Sequence, residues 1–548
     1  MSTFKCSSSY DSTSTLVSTC TLPDHLWSYI CRFLTNEQIR QMYSINQPLY
    51  RISMALRYRE ASIGKLQGAG SRGTARCAAI AKNFRLRNNV HSLSFKVTRL
   101  SFDYESENGT HVTDAAMKRI SNSAFVKLAV SHWRSKAQPP TPSIAPQFPP
   151  SNPASGSVTI GRSLTLSRQK TREQVARDGI TAAIREFLSS LPNLTNLDIH
   201  FPNSICPSSD ENDSTIVLLQ PPGNETPYGT TLKSLTITGS VVAWKQLIPH
   251  HYEWPRLETF RVRIDSGHEN PNDDVYAIRL ILAPFIRRHS KTLKMLSIGS
   301  KIDQDLTSLY DGIGCLLHLE TLEIEQPSFT PSKNHTEALG QFLIRHRDNL
   351  TSFRWTFVTP SNIAAPQTFI LHPQEWFEQP PYNLQLPRLR QMALTLPGTS
   401  NLSFFEGTNL YCARHASTLT HLSLNGLIMS LTQLQELLLL IGSKRLESLE
   451  ISLEVLTSAV LINLSTKCPS LQCLHLAYSS VGRQKSLTEP VLVDPTAGGI
   501  LKIPNVPMVN TWQFRHDMSV LVLGNWNVGE LYLRKIGDRS WEEYKMDQ

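Results

Sequence analysis

From residue 194 onward, apolar residues return in one short phrase, Leu-x-x-Leu-x-Leu, broken by polar positions. It reads LTNLDI, LKSLTI, LETFRV, LKMLSI, LETLEI, LTSFRW, LRQMAL, LTHLSL, LESLEI and LQCLHL. The first residues of these phrases stand at 194, 232, 257, 293, 319, 350, 389, 419, 446 and 471. Apolar fourth and sixth positions around a polar fifth are period-two patterning, a short strand with one buried face. Between phrases the period becomes helical, as in TREQVARDGITAAIREFLSSL, DDVYAIRLILAPFIRRH, TEALGQFLIRHR, LTQLQELLLLI and LEVLTSAVLINLS. Strand and helix alternating every 25 to 39 residues predict an α/β solenoid of leucine-rich repeats, irregular because the intervals vary. Parallel strands stack into a sheet and the helices lie on its outer side. VHSLSF (Val90 to Phe95) fits an earlier repeat, and SVLVLGNW and VGELYLRKI read as closing strands.

The pattern at the front of the chain is different. TLPDHLWSYICRFLTNEQIRQMYSINQPLY, residues 21 to 50, places Leu26, Ile30, Phe33 and Leu34 on one helical face. Leu22-Pro23-Asp24 is a helix start, and Thr35 with Gln38 forms a capping box for a second helix carrying Ile39, Met42 and Ile45. Pro48 stops or restarts the chain, and Leu49-Tyr50 open a third helical piece. Three short helices enclose too small a core to hide every apolar side chain, so the surplus calls for a partner surface.

The chain divides accordingly. Residues 1–20, with eleven Ser/Thr in twenty positions, are expected to be a disordered head without the apolar stretch of a secretory signal. A small all-α module spans 21–60, and linker helices with a possible first repeat span 61–135. A proline-rich insertion, 136–170, carries seven prolines between Pro139 and Pro153 and is expected to stay extended. The solenoid covers 171–480 and a capping segment 481–548.

Composition narrows function. The net charge of +9 invites a nucleic-acid reading, yet residues 51–90 hold nine Lys/Arg against one acid, Glu60, so the remainder is nearly balanced. Nine cysteines without regular spacing point to reduced thiols and a cytoplasmic or nuclear setting. No apolar run approaches the ~20 residues that span a bilayer, so no membrane role is expected.

Residues 21–50 resemble an F-box, carried by Leu22-Pro23, by Leu26, Ile30, Phe33 and Leu34, and by Ile39, Met42 and Ile45. His25 and Pro48 depart from the commonest form. With leucine-rich repeats behind it, the chain is similar to the F-box/leucine-rich-repeat substrate receptors of SCF ubiquitin ligases, especially fungal ones. The resemblance implies that those nine residues contact a Skp-type adaptor and, through it, a cullin. It also implies that the repeats hold a protein substrate.

Strand alternation puts the intervening polar residues on the helix-free face. The candidates there are Asp198, His200, Arg261, Arg263, Glu323, Glu325, Arg354, His421, Glu450 and His475, a band of both signs that suits a protein partner. No catalytic or phosphate-loop motif occurs, so neither an enzyme nor a cofactor is expected. Cys468, Cys473 and His475 lack a fourth ligand for a zinc site. Two alternatives stand beside the receptor: a repeat scaffold without ligase association, and, ranked last, a nucleic-acid-associated protein using segment 51–90.

Overall fold

The structure is a computed structural model that describes residues 22–66, 72–97, 184–201, 227–241, 244, 248, 253–265, 271–301, 304–327, 333–358, 377–399, 402–441, 445–481, 483–486, 489–491, 530–535 and 542–545. The Ser/Thr-rich head, the proline-rich insertion and the expected strand SVLVLGNW lie outside them.

Three helices open the described chain: α1 (Asp24–Ile30), α2 (Asn36–Gln41) and α3 (Gln47–Arg59), joined by 3-10 turns. The capping box forms as expected. Thr35 N–H donates to Gln38 Oε1 at 2.8 Å, and Gln38 N–H donates to Thr35 Oγ1 at 3.2 Å. Asn46 caps α3 by accepting from Leu49 N–H at 2.9 Å, and Pro48 sits in its first turn, where a missing N–H costs nothing.

Strand β1 (Glu60–Leu66) follows α3 without a break, so the sheet begins well before residue 171. Its pattern is short, Ala61 and Ile63 inward around Ser62, and it is easily read as a continuation of the helix. Beyond it come β2 (Ser92–Val97), β3 (Asn196–His200), β4 (Ser234–Gly239), β5 (Thr259–Ile264) and β6 (Met295–Ser300). The series continues with β7 (Thr321–Pro327), β8 (Ser352–Val358), β9 (Gln391–Thr399) and β10 (His421–Met429). It ends with β11 (Ser448–Leu456), β12 (Cys473–Val481), β15 (Glu530–Lys535) and β16 (Glu542–Lys545), while β13 (Arg483–Ser486) and β14 (Glu489–Val491) pair with each other apart from the rest. The other fourteen strands form one sheet in sequence order, parallel throughout except for the antiparallel β15–β16 pair. The segment LEVL, expected to open a helix, belongs to β11, and its helix starts at Ser458.

Each parallel step in one direction uses the right-handed crossover, so the connecting helices share one face of the sheet. The leucines of the phrase point to that face and join a single core running from Ala61 to Leu533. Strand entries are fastened by a backbone ladder at the second position of the phrase. Glu258 N–H donates to Lys233 O, Lys294 to Glu258, Glu320 to Lys294, Thr351 to Glu320 and Arg390 to Thr351, at 2.8–2.9 Å.

Histidines tie alternate repeats together. His289 and His346 end the long helices of their repeats, and both are buried. Trp254 N–H donates to His289 Nε2 at 3.0 Å, and Leu316 N–H donates to His346 Nε2 at 2.8 Å. With Nε2 accepting, Nδ1 carries the proton and donates to the carbonyl four residues back, Phe285 O at 2.9 Å and Phe342 O at 2.7 Å. Each ring thus pins the loop of the preceding repeat. His415 occupies the same place and is buried near the Leu386 backbone, without alignment for a full hydrogen bond at either nitrogen.

Candidate interaction surfaces

The helical module buries Cys31, Ile39 and Leu49, with Trp27, Leu34, Met42, Ile52 and Leu56 packed around them. That is a small core, and much of the module's apolar surface stays outside. Leu26, Tyr29 and Phe33 recur at i, i+3 and i+7, one stripe along α1 and its following turn, with Leu22 exposed just ahead of the helix, and Phe33 is 73% exposed. Tyr43, Ile45 and Tyr50 add to this surface, Ile45 at 60% exposure. Seven of the seventeen large exposed apolar side chains among the described residues lie in this short module. Such a concentration marks a binding surface more than scattered exposure does.

The nine residues expected at this surface divide. Leu22, Pro23, Leu26, Phe33 and Ile45 are exposed, and Ile30 is half-buried. Ile39 is buried in the module's own core, and Leu34 and Met42 are partly buried against it. The physical reason is that three short helices must pack on something, and the wide apolar stripe supplies both sides. Tyr29 and Tyr43, which the sequence reading passed over, stand where those residues were expected; Tyr29 packs edge-on against Phe33 with ring centroids 5.2 Å apart.

The second surface is the helix-free face of the sheet. Register runs unbroken from Asp198 through Thr236, Arg261, Ser297, Glu323 and Arg354. It continues through Ala393, Ser423, Glu450 and His475 to Tyr532. His200, Arg263 and Glu325 form a parallel row two residues further along their strands, while His421 stands one row earlier beside Gln391 and Ser448. All ten expected residues therefore share this face, across three rows.

The expected open band of charge is in large part paired with itself. Arg261 Nε and Arg354 Nε each lie 3.9 Å from the Glu323 carboxylate, and Arg263 Nη2 donates to Glu325 Oε1. Lys301 Nζ is 2.8 Å from Asp265 Oδ1, with His200 Nδ1 3.9 Å from Oδ2. Two of these pairs reach over an intervening strand. Arg263 on β5 meets Glu325 on β7 because β6 has Gly299 between them, where an added Cβ would come within 3.3 Å of both side chains. Ser297 leaves similar room for Arg261 and Glu323. Burial holds the imidazole of His200 below its usual range, helped by Lys96 and opposed by Asp265.

Beyond β8 the face changes character. Ser423, Glu450, His475 and Tyr532 follow one another on β10, β11, β12 and β15. Ser423 Oγ donates to Glu450 Oε2 at 2.6 Å, and the His475 and Tyr532 rings stack with centroids 4.3 Å apart. Cys473 shares this face, whereas Cys468 is buried at a helix end. No group of three metal-ligating side chains is assembled among the described residues.

No family model matches the chain, and no curated protein does. Among solved structures it is similar to the complex of Rad7 and Elc1 in yeast, at 16% identity and a TM-score of 0.31. The match covers 54% of this chain and 66% of that one, just under two thirds of its length.

Proposed function

We propose that the chain is the substrate-recognition subunit of an SCF-type cullin-RING ubiquitin ligase. The apolar module docks on a Skp-type adaptor, and the helix-free face of the leucine-rich solenoid holds a protein substrate. The chain works in the cytoplasm or nucleus and supplies proximity, not chemistry: adaptor and substrate are held in one assembly, raising their effective concentration. The observation that carries this reading is the exposed stripe Leu26, Tyr29 and Phe33, with Leu22 just ahead of it and Ile45 beside it, on a module too small to use them internally.

The test is co-purification of the full chain with the adaptor, beside a Phe33→Asp/Ile45→Asp variant. Both residues are exposed, so the variant is expected to melt at an unchanged temperature while losing at least tenfold in adaptor affinity. Wild-type protein that folds yet leaves the adaptor unbound would refute the reading and leave a repeat scaffold.

A further inference from the structure

The helix-free face is not uniform, and its asymmetry names the chemistry of the partner. On β5 to β8, the carboxylates Glu323 and Glu325 each have an arginine partner, and Asp265 has Lys301. Glu450 on β11 has none: among the described residues its only polar partner is the Ser423 hydroxyl. It is nonetheless a fixed group. Asn425 Nδ2 donates to Ser423 Oγ at 3.1 Å, and that hydroxyl donates to Glu450 Oε2 at 2.6 Å, so a two-step relay orients the carboxylate. Among the described residues, Oε1 has no donor. On the other side, β12 and β15 bring up the half-buried His475–Tyr532 stack, rings 4.3 Å apart and nearly parallel at 17°.

We propose that Glu450 is the anchor for a basic side chain of the protein partner, arginine ahead of lysine. A guanidinium placed on Oε1 forms a charge-assisted hydrogen bond to an acceptor already held in place, and its flat face meets the aromatic stack alongside. An aromatic face next to a carboxylate favours a planar cation over a compact, strongly hydrated ammonium. Anionic and neutral partners gain nothing from this corner of the sheet. The paired network on β5 to β8 offers a second contact only weakly, since a partner charge there must compete with an existing ion pair.

The inference rests on the receptor reading only in taking the helix-free face as the substrate surface. Its test is selection of phage-displayed random dodecapeptides on the immobilised full chain, run in parallel for wild type, Glu450→Gln and Glu450→Lys. The protein carries a net charge of +9, so non-specific retention favours acidic peptides, and a basic pool cannot come from bulk charge. Wild type is expected to enrich arginine, and less strongly lysine, several-fold over the input library. Glu450→Gln is expected to lose that enrichment, and Glu450→Lys to reverse it toward Asp and Glu. A synthetic peptide from the wild-type pool should bind the Gln variant at least tenfold more weakly by fluorescence anisotropy, with the melting temperature unchanged.

Three results would overturn the proposal: no enriched peptide, an enriched pool without basic residues, or a basic pool that persists in Glu450→Gln. Adaptor binding through Phe33 and Ile45 is measured separately. Loss there with a Glu450-dependent basic pool intact would remove the ligase assignment and leave the anchor standing.

Discussion

Replacing His346 with leucine tests whether the buried histidines fasten the solenoid or merely fill it. The ring accepts from Leu316 N–H at 2.8 Å, donates to Phe342 O at 2.7 Å and is 1% exposed. Leucine is close in volume, so little packing is lost. What remains is a buried Leu316 N–H with no acceptor, worth about 1–3 kcal/mol. A solenoid unfolds as coupled repeats, so the readout should be local. Hydrogen exchange followed by mass spectrometry across residues 314–320 is expected to show protection of that loop falling about 5- to 150-fold. His346→Gln, whose side-chain carbonyl can reach the same amide, is expected to recover part of it.

Acid supplies the second arm of this test. Burial holds His289 and His346 below their usual range and His415 at about 4, so the folded state binds fewer protons than the unfolded chain. The stability they contribute is complete above about pH 6.5 and is lost as pH falls toward the folded values, at about 1.4 kcal/mol per pH unit for each histidine. For His415 this amounts to on the order of 3 kcal/mol between pH 6.5 and 4. The leucine variant should show a shallower decline in stability between pH 6.5 and 5 than wild type. Unchanged loop protection together with an unchanged pH slope would refute the stapling argument.

Two further substitutions probe the core and the strand geometry. The Tyr310 hydroxyl is fully buried without a hydrogen-bond partner among the described residues, and burial pushes its pKa upward. Tyr310→Phe should therefore be neutral or stabilise by up to about 1 kcal/mol in thermal melts, and a loss above about 1 kcal/mol would show that the hydroxyl is bonded. Gly426 on β10 has φ of +80°, and an added Cβ would overlap the Leu396 carbonyl oxygen. Gly426→Ala is expected to cost about 2–4 kcal/mol, read as a lower urea midpoint, and an unchanged midpoint would show that β9 and β10 relax freely there.

The parts of this molecule that were legible in the sequence are those fixed by period. One core fills the inner positions of strands β1 to β12 and β15, so a slipped register would expose a whole row of leucines, and the phrase from Leu194 to Leu476 survives even where the repeat lengths differ. The same parity placed all ten polar candidates on the open face. Parity says nothing about pairing, however. That Arg263 meets Glu325 across a strand depends on Gly299, and that Arg261 reaches Glu323 depends on the small Ser297. A glycine in a strand is usually read as weakness, yet here it permits a bridge.

The histidine staples were hidden for a related reason, because a buried neutral histidine and an exposed one look alike in a sequence. Their signal is spacing. His289, His346 and His415 each stand four residues before the first residue of a phrase, and only in repeats with long helices. From Leu257 to Leu419, long helices ending at a histidine thus occur in every second repeat, and His289 and His346 each hold the loop ahead of their own repeat. The same logic separates the two proposed surfaces. The core fixes the leucines tightly, whereas the exposed stripe at Phe33 and the Glu450 carboxylate, met among the described residues only by the Ser423 hydroxyl, are groups the core does not require.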